Sequence, residues 1–363
     1  MRLRGYFQLL FLFDVAEAFD EKRLGELLGP RAAPARHALP RRTPDYVRFE
    51  NAPIVERGEP LTLGTGEQVI CSIKYYSFAV VAVEMGVSFD CDWPSLLAQN
   101  SRWMDDETVA QHAREIARRH LEVVAPAVIR PNQDWLQETY IIINAKEISE
   151  PGAGVPLAAD LLLAHGQHIG QLIRGELAPL APKVLDEILE SNLSYYPSDL
   201  VVVGSSAAFV YDSSEDADAT NQVLEYAKMQ LLETRYYDAL MSRLLSEVYD
   251  TLEEKRNFLL QRWTLPRDAK RFNTIRLDVM ELTERIDNAI KFVSDVYYAR
   301  VYRLASTRIG LHEYRDLVDE KLRTVGELYD FMIDEFNEAR SFVLEVGVAI
   351  LALLDVIFLL RGK

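Results

Sequence analysis

The sequence predicts an α+β protein: a mixed α/β layer domain, then a long antiparallel coiled-coil helical hairpin, then a C-terminal transmembrane helix. Three observations lead to this prediction. Strand and helix signals alternate over residues 1–215, helical spacing is nearly continuous over 220–340, and 342–360 is a long apolar stretch. We therefore expect an α+β domain, a helical hairpin domain and a membrane anchor with these boundaries.

The first segment carries strand signals in runs of β-branched and aromatic residues. These runs are Phe7–Phe13, Tyr46–Phe49, Ile73–Val87, Thr139–Ile148 and Leu200–Tyr211. Helices are predicted over Pro94–Val123, Leu157–Arg174 and Lys183–Ser191, and the first two have apolar residues at three and four spacing. An acidic, turn-rich linker at 212–219 marks the predicted end of the domain.

The N-terminus MRLRGYFQLLFLFDVAEAF resembles a secretory signal peptide, with two arginines, an apolar run and the small residues Ala16 and Ala18. Its apolar run, Tyr6–Phe13, is short for such a signal, and Asp14 and Glu17 crowd the cleavage position. We therefore expect a buried first strand followed by a helix, DVAEAFDEKRLGELLG. The apolar positions of that helix would be Ala16, Phe19, Leu24, Leu27 and Leu28.

Composition excludes several classes of protein. A hydrophobic content of 49% over 363 residues excludes general disorder. The formal charge of −16 repels polyanions, so we expect no strong binding of nucleic acid. Cys71 and Cys91 lie outside any CxxC or Cys/His spacing, which is typical of a reducing compartment.

Two helical arms joined at Pro266 predict the hairpin, because proline ends a helix and forces a turn. The first arm has apolar residues broadly on one face, although Thr234 and Asp238 interrupt it. The second arm keeps a strict heptad, which favours coiled-coil packing and self-association. Its heptad residues are Phe272, Ile275, Val279, Leu282, Ile286, Ala289, Val293 and Val296.

Basic residues surround a tryptophan at the predicted hairpin tip. Such a cluster is able to contact phosphate or lipid headgroups, and the alternative is a solvated turn. The cluster consists of Arg262, Trp263, Arg267, Lys270 and Arg271.

The stretch from Phe342 to Leu360 has 19 residues, which in a helix would span about 28 Å, close to the thickness of a bilayer core. Glu345 lies in its first turn and Asp355 towards its end, so neither acid is central. A soluble core helix is the alternative, but 346–354 has no polar face. The predicted anchor residues are Phe342, Leu344, Glu345, Ile350, Leu354, Asp355, Phe358 and Leu360.

Two motifs carry candidate chemistry. His165 and His168, at i and i+3 of a predicted helix, could share a metal with Asp160 or Glu176, and the alternative is two ordinary histidines. Gly204-Ser205-Ser206 lacks the lysine of a phosphate-binding loop and the second glycine of a nucleophile turn, so it predicts a hairpin turn. We expect no catalytic residue and no cofactor from these patterns.

The order of sequence segments along the chain resembles that in the "required for meiotic nuclear division" family. The resemblance rests on YFQLLFLFDVAEAFDEKRLGELLG, KYYSFAVVAVEMG, DLVVVGSSAAFVYD, NQVLEYAKMQLLETRYYDALMSRLLSEVY and an apolar C-terminal helix opened by Leu344-Glu345. It covers residues 6–360, and Val346 departs from the family's tryptophan. It implies a membrane-anchored oligomer without assigned catalytic residues, since mitochondrial relatives are inner-membrane proteins that support translation.

We therefore expect a non-enzymatic, membrane-anchored scaffold or tether. Its partners would be the bilayer through 342–360, further copies of the chain, and an unknown protein or ribonucleoprotein. With no leader expected, a single-pass C-terminal anchor would leave the bulk of the chain in the cytoplasm. The alternatives are a metal-dependent hydrolase-like enzyme around His165 and His168, and a soluble coiled-coil adaptor.

Overall fold

A computed structural model describes the fold. It describes residues 1–29, 32–34, 53–58, 61–62, 67–76, 79–149, 154–212, 217–253, 276–277, 280 and 296–361. The predicted strand Tyr46–Phe49 lies outside these residues. So do the basic hairpin tip (Arg262, Trp263, Arg267, Lys270 and Arg271) and all but the last position of the predicted heptad.

A large mixed sheet with helices confirms the α+β class. The strands are β1 (Arg2–Phe19), β2 (Ala32–Pro34), β3 (Ile54–Arg57), β4 (Leu61–Thr62), β5 (Gln68–Tyr75), β6 (Val80–Cys91), β7 (Val128–Ser149), β8 (Asn192–Leu193), β9 (Leu200–Val203) and β10 (Ala207–Tyr211). The helices are α1 (Glu21–Leu28), α2 (Trp93–Asp105), α3 (Glu107–Val124), α4 (Ala158–Arg174), α5 (Pro182–Leu189), α6 (Ala217–Glu253), α7 (Val296–Arg308) and α8 (Leu311–Arg361).

The strand order is β2-β3-β5-β6-β1-β7-β10-β9-β8, with β4 paired to β5. Pairing is antiparallel except between β10 and β7, which run parallel. The central strand β1 pairs with β6 on one side and β7 on the other. Its side chains from Phe7 to Phe13 are buried on both faces of the sheet, which agrees with their largely apolar sequence. One face of the sheet packs against α1 to α5 in the main hydrophobic core, and we call it the core face.

Three local predictions are corrected by the structure. Ala16 and Phe19 belong to β1, and the helix begins only after Asp20, whose carboxylate accepts from the amide of Arg23. The predicted strand Ile73–Val87 is two strands that form a hairpin, with Ala79 at a positive φ of 59° in the turn. The predicted helix Pro94–Val123 is α2 and α3.

The division of that helix has a local cause at Asp106. Its backbone is extended, and its carboxylate accepts from the amide of Thr108 at 2.9 Å. This N-cap ends α2 and starts α3, because it supplies a partner for an amide that lacks one at the start of a helix. The helical spacing on either side continues across the break, so spacing alone does not locate it.

The predicted turn at Gly204-Ser205-Ser206 is confirmed, because β9 and β10 are antiparallel neighbours on either side of it. The amide of Gly204 donates to the carbonyl of Ala207 at 2.9 Å. Both strands are completely buried. This segment is therefore a turn with Ser205 and Ser206 exposed between two buried strands, which is not the strand-to-helix connection of a phosphate-binding loop.

The described residues divide into two compact units. The first lies within 1–236 and 285–314, and it contains the sheet and the first half of α6. It continues past the predicted linker at 212–219, because Leu224, Ala227 and Leu231 are buried in it.

The second unit lies within 237–284 and 315–363. In it, the later part of α6 packs against α8 through Met241, Leu244, Val318 and Val325. Lys321 pairs with Asp238 at 2.6 Å, so the polar interruption seen in the first arm forms an ion pair.

Candidate functional site

The side of the sheet opposite the core face packs against α6, and we call it the α6 face. Leu12, Tyr76 and Ala82 of the sheet contact Met229 and Leu232 there. The same face also carries charged residues, because side chains alternate along a strand and α6 brings its i, i+3 and i+4 positions to one side. The α6 face is therefore partly polar although it is buried.

The first charged group on the α6 face joins β5, β6 and α6. Lys74 Nζ lies 2.6 Å from Glu225 Oε2 and 2.7 Å from Glu84 Oε2. Tyr76 Oη donates to the other oxygen of Glu225 at 2.7 Å, and Ser72 Oγ donates to Glu84 at 3.3 Å. Burial opposes the charge on Lys74, but the two carboxylates outweigh it and raise the pKa of the ammonium group. Lys74 is therefore a fixed cation that holds two carboxylates.

The second charged group joins β7 and α6. Lys228 Nζ lies 2.8 Å from Glu138 Oε2 and donates to the carbonyl of Ser205 at 3.3 Å. Arg235 pairs with the other oxygen of Glu138, and Tyr140 Oη donates to the carbonyl of Gly204 at 3.1 Å. This group has two cations and one carboxylate, whereas the Lys74 group has one cation and two carboxylates. The formal charge of the Lys74 group is therefore negative and that of the Lys228 group is positive, and the two cancel across the α6 face.

The predicted metal candidates His165 and His168 lie on α4 as expected, but both rings stack on Trp93. The ring centroids are 5.0 Å and 5.4 Å from that of the indole. Burial lowers the pKa of His168, which favours its neutral form. In the part of the chain that the structure describes, no cluster of three or more His, Cys, Asp or Glu side chains is arranged to hold a metal ion. The contacts of both histidines with Trp93 are those of packing residues.

A cavity of about 750 Å³ lies between α3 and the strands β3 to β5, and we call it the α3 cavity. On its wall, Glu56 Oε2 is 2.9 Å from His120 Nδ1 and accepts from Tyr75 Oη at 3.3 Å. A carboxylate only accepts, so the His120 hydrogen is assigned to Nδ1, which leaves the Nε2 lone pair in the neutral ring. Glu56 is thereby fixed from two sides.

The rest of the α3 cavity is lined mainly by apolar residues, which are Leu61, Ile73, Ile116 and Val123, with Arg119 beside them. Arg57 also borders the cavity, but its pairing with Ser72 places its side chain on the α6 face. Cys71 also lines it, and burial raises the pKa of its thiol to about 11, with Glu84 adding to the effect and Arg119 opposing it. At neutral pH this sulfur is a thiol, which is a weak nucleophile. The lining is suited to binding more than to covalent chemistry.

The predicted anchor is helical throughout, within α8. Of its residues, Glu345 and Ile350 have described side chains, and both are exposed. Side chains at Phe342, Leu344, Leu354, Asp355, Phe358 and Leu360 lie outside the described set. Over the residues that are described, none of the helices combines the length and the apolar character needed to cross a membrane.

The fold and these sites define a mixed α+β protein whose sheet is packed against a long helix through buried ion pairs. The model of a family described as "Uncharacterized protein MJ0711, N-terminal domain" matches residues 4–218, which is more than half of the chain. The chain therefore belongs to this family. The protein described as "Uncharacterized protein MJ0711", from Methanocaldococcus jannaschii, is 21% identical over 229 residues, covering 63% of this chain and 68% of the relative. No solved structure matches the chain.

Proposed function

We propose that the protein is a membrane-anchored oligomeric scaffold or tether whose α+β domain faces the cytosol. One observation carries the proposal: the end of α8 presents consecutive turns of exposed apolar side chains. Val346, Val348, Ile350 and Leu351 are 41%, 66%, 55% and 65% exposed. Exposed apolar surface of this extent on one helix is typical of a site that contacts lipid or another protein.

A bilayer is the partner that suits this helix best. Exposed residues occur on all sides of 346–351, whereas a helix that packs on one partner needs one apolar face and one polar face. Fourteen of the 19 residues from 342 to 360 are Phe, Val, Leu or Ile. On an insertion scale they contribute on the order of −6 kcal/mol, which exceeds the cost of roughly 3 kcal/mol for one central acid.

The resemblance to the "required for meiotic nuclear division" family supports the same function, because it implies a membrane-anchored oligomer. The buried charges also agree with it. The Lys74 group and the Lys228 group have opposite formal charges and each is held by ion pairs between α6 and the sheet, which is an arrangement suited to a rigid scaffold.

Fractionation tests the anchor. The full chain and a version that stops at Arg340 would be expressed in cells and washed with alkaline carbonate. We expect the full chain to remain in the membrane pellet and to leave it only with detergent, while the shortened chain is soluble. If both are soluble, the helix is a core helix or an oligomer interface and the membrane tether is ruled out, which leaves the enzyme and the soluble coiled-coil adaptor.

Two further measurements test the remaining parts of the proposal. Light scattering of the detergent-solubilised protein should give a mass that is a multiple of 41.4 kDa after the detergent is subtracted. Protease added to closed vesicles with the cytosolic side outward should digest the α+β domain. A monomeric mass would remove the oligomer from the proposal, and protection from protease would remove the cytosolic orientation.

A further inference from the structure

We propose that the α3 cavity binds a small neutral alcohol or phenol, whose hydroxyl donates to His120 Nε2 and whose apolar body covers the cavity wall. This function is separate from membrane anchoring and does not depend on it. The cavity lies in the first compact unit, and its lining residues come from β3, β4, β5 and α3 with the intervening Gly58.

The charges of the lining favour a neutral ligand. Arg119 is exposed and Glu56 is buried, and their formal charges cancel. Arg57 does not alter this balance, because its side chain lies on the α6 face. A ligand with a net charge would therefore bring into the cavity a charge without a partner, which burial penalises.

Glu56 fixes the orientation of the His120 ring. Its carboxylate is 2.9 Å from His120 Nδ1 and accepts from Tyr75 Oη at 3.3 Å. Burial and the neighbouring Glu56 raise the pKa of Tyr75, so the phenol keeps its proton and continues to donate. With its hydrogen on Nδ1, the neutral imidazole has a lone pair on Nε2, which accepts a hydrogen bond.

The polar group that the cavity offers to a ligand is therefore His120. Its side chain is 28% exposed, whereas that of Glu56 is 10% exposed and already has two donors. A hydroxyl group is the simplest neutral donor that matches the Nε2 lone pair.

The apolar lining sets the second part of the ligand. The wall consists of Leu61, Cys71, Ile73, Ile116 and Val123. A volume of about 750 Å³ lies within the range of roughly 300–1,000 Å³ found for small-molecule sites. A ligand without carbon would leave that wall in contact with water, whereas a body of several carbons would cover it.

A soluble alcohol and a membrane-dissolved one share this chemistry. The size of the cavity favours the soluble ligand, because a chain of lipid length exceeds a pocket of this volume. The two sources are separated by comparing p-propylphenol with p-dodecylphenol, whose long chain holds it in detergent or membrane.

The experiment measures p-propylphenol binding to the full chain in a non-ionic detergent by calorimetry, with the uptake of each probe by the detergent alone subtracted. The hydroxyl of this probe is protonated at neutral pH, as in tyrosine. The variant is His120→Asn, whose amide nitrogen takes the place of Nδ1 and continues to donate to Glu56, while the acceptor at Nε2 is lost. The matched control is His112→Asn. His112 lies on the same helix outside the cavity lining, with Nδ1 2.7 Å from the carbonyl oxygen of Thr108.

We expect His120→Asn to weaken binding by about three- to tenfold, the usual effect of one neutral hydrogen bond, and His112→Asn to leave it unchanged. p-Propylanisole, in which a methyl ether replaces the hydroxyl, should bind the original chain more weakly by the same factor, and His120→Asn should not affect its binding. Phenol should bind at least about tenfold more weakly than p-propylphenol, because it lacks the propyl group. p-Propylbenzoate should also bind more weakly, since a carboxylate only accepts and would face the Nε2 lone pair.

Absence of p-propylphenol binding, or an equal loss in His112→Asn, would overturn the site itself. Equal affinity of the original chain for p-propylphenol and p-propylanisole, or an equal loss of both probes in His120→Asn, would overturn the hydrogen bond to His120. Equal affinity for phenol would overturn the apolar part of the proposal, and tighter binding of p-propylbenzoate would overturn the preference for a neutral ligand. Binding of p-dodecylphenol alone would replace the soluble ligand with one from the membrane. Circular dichroism of each variant shows whether the fold is retained, and loss of membrane pelleting in the unmodified chain would affect the anchor alone.

Discussion

The Lys74 ammonium group lies 2.6 Å from the Glu225 carboxylate, and these two side chains join residues 151 positions apart in the sequence. Their exposures are 8% and 2%, so the pair is removed from water. An ion pair in this position favours one register of α6 on the sheet, since a shift of α6 by one residue would leave the Glu225 carboxylate buried without its cation. The pair therefore specifies how α6 packs.

Lys74→Met should destabilise the first unit strongly. The substitution keeps most of the side-chain volume but leaves Glu84 and Glu225 without their cation, and the loss of one partner of a buried pair costs on the order of 3–5 kcal/mol. Chemical denaturation of the purified protein, followed by circular dichroism, measures the change in the free energy of unfolding.

The control for Lys74→Met is Glu17→Gln, which removes an exposed ion pair with Arg130 at 2.6 Å. Exposed pairs contribute about 0–1 kcal/mol, so this variant should unfold close to the original chain. Similar losses in the two variants would contradict the assignment of Lys74 as the residue that fixes α6.

Asp14 should make the stability of the protein depend on pH. Burial raises the pKa of Asp14 to about 7, from 3.8 in the unfolded chain. Between these values the folded state binds more protons than the unfolded state, so the free energy of unfolding should fall as the pH rises from 4 to 7. Asp14→Asn should remove this pH dependence. The free energy of unfolding should rise on the order of 4 kcal/mol above that of the original chain at pH 7 and should be unchanged near pH 4.

Asp90→Asn provides a control of opposite sign. Its hydrogen bonds and charge pairs with Arg2 and Arg4 lower the pKa of Asp90, so its contribution is present at neutral pH and is lost as the solution is acidified. Thermal unfolding at pH 4, 5.5 and 7 separates the two variants. A parallel pH dependence in Asp14→Asn and in the original chain would rule out the raised pKa.

The sequence predicted the sheet better than the breaks within it. Strands at Thr139–Ile148 and Leu200–Tyr211 were located because β-branched and aromatic residues dominate them. The turn at Ala79 was missed because apolar residues continue through it. Its positive φ is adopted by an alanine, whereas a glycine at this position would have indicated a turn. The end of β1 was missed because Ala16 and Phe19 also fit helical spacing.

The sites were harder to predict than the strands. Glu56 and His120 are 64 residues apart and meet only because α3 packs beside β3. Lys74 did carry a signal, since it is a charged residue within a largely apolar strand, which indicates a buried partner. Glu225 carried none, because Asn221, Gln222 and Lys228 make its helix segment polar. The pair His165 and His168 had local spacing in its favour, but the spacing does not show that Trp93 lies against both rings.

Gly5→Ala should destabilise the sheet through a steric conflict. A Cβ at Gly5 would overlap the carbonyl oxygen of Asn144 on β7 and press on the ring of Phe89 on β6. The register of β1 and β7 shifts at this position, so the strands already approach closely there. We expect a loss of about 1–3 kcal/mol in the free energy of unfolding.

Gly86→Ala on the neighbouring strand is the matched control for Gly5→Ala. The nearest atom to a Cβ there is the carbonyl oxygen of Ile70 at 3.8 Å, an ordinary contact. Alanine should be tolerated or slightly stabilising at Gly86, because it lowers the freedom of the unfolded chain. An equal loss at both positions would show that strand propensity, and not the close approach to Asn144, determines the effect.

The proposed anchor should tolerate one added charge and fail with two. An arginine near the centre of an inserted helix costs roughly 2.5–3.5 kcal/mol, and the apolar residues of 342–360 contribute on the order of −6 kcal/mol. Val348→Arg alone should therefore leave the chain in the carbonate-washed pellet. Val348→Arg combined with Leu351→Arg should release most of it, because the combined cost reaches the insertion energy.

The matched control for the double arginine variant is Asp330→Arg combined with Asp334→Arg. Both aspartates are exposed and lie on α8 before the apolar stretch. This variant adds the same number of arginines to the same helix outside the apolar stretch, so it should stay in the pellet. An equal loss from the pellet in the single, double and control variants would show that the position of the arginines does not matter, which contradicts insertion of 342–360. Retention of the double variant in the pellet would mean that the bilayer core does not surround residues 342–360.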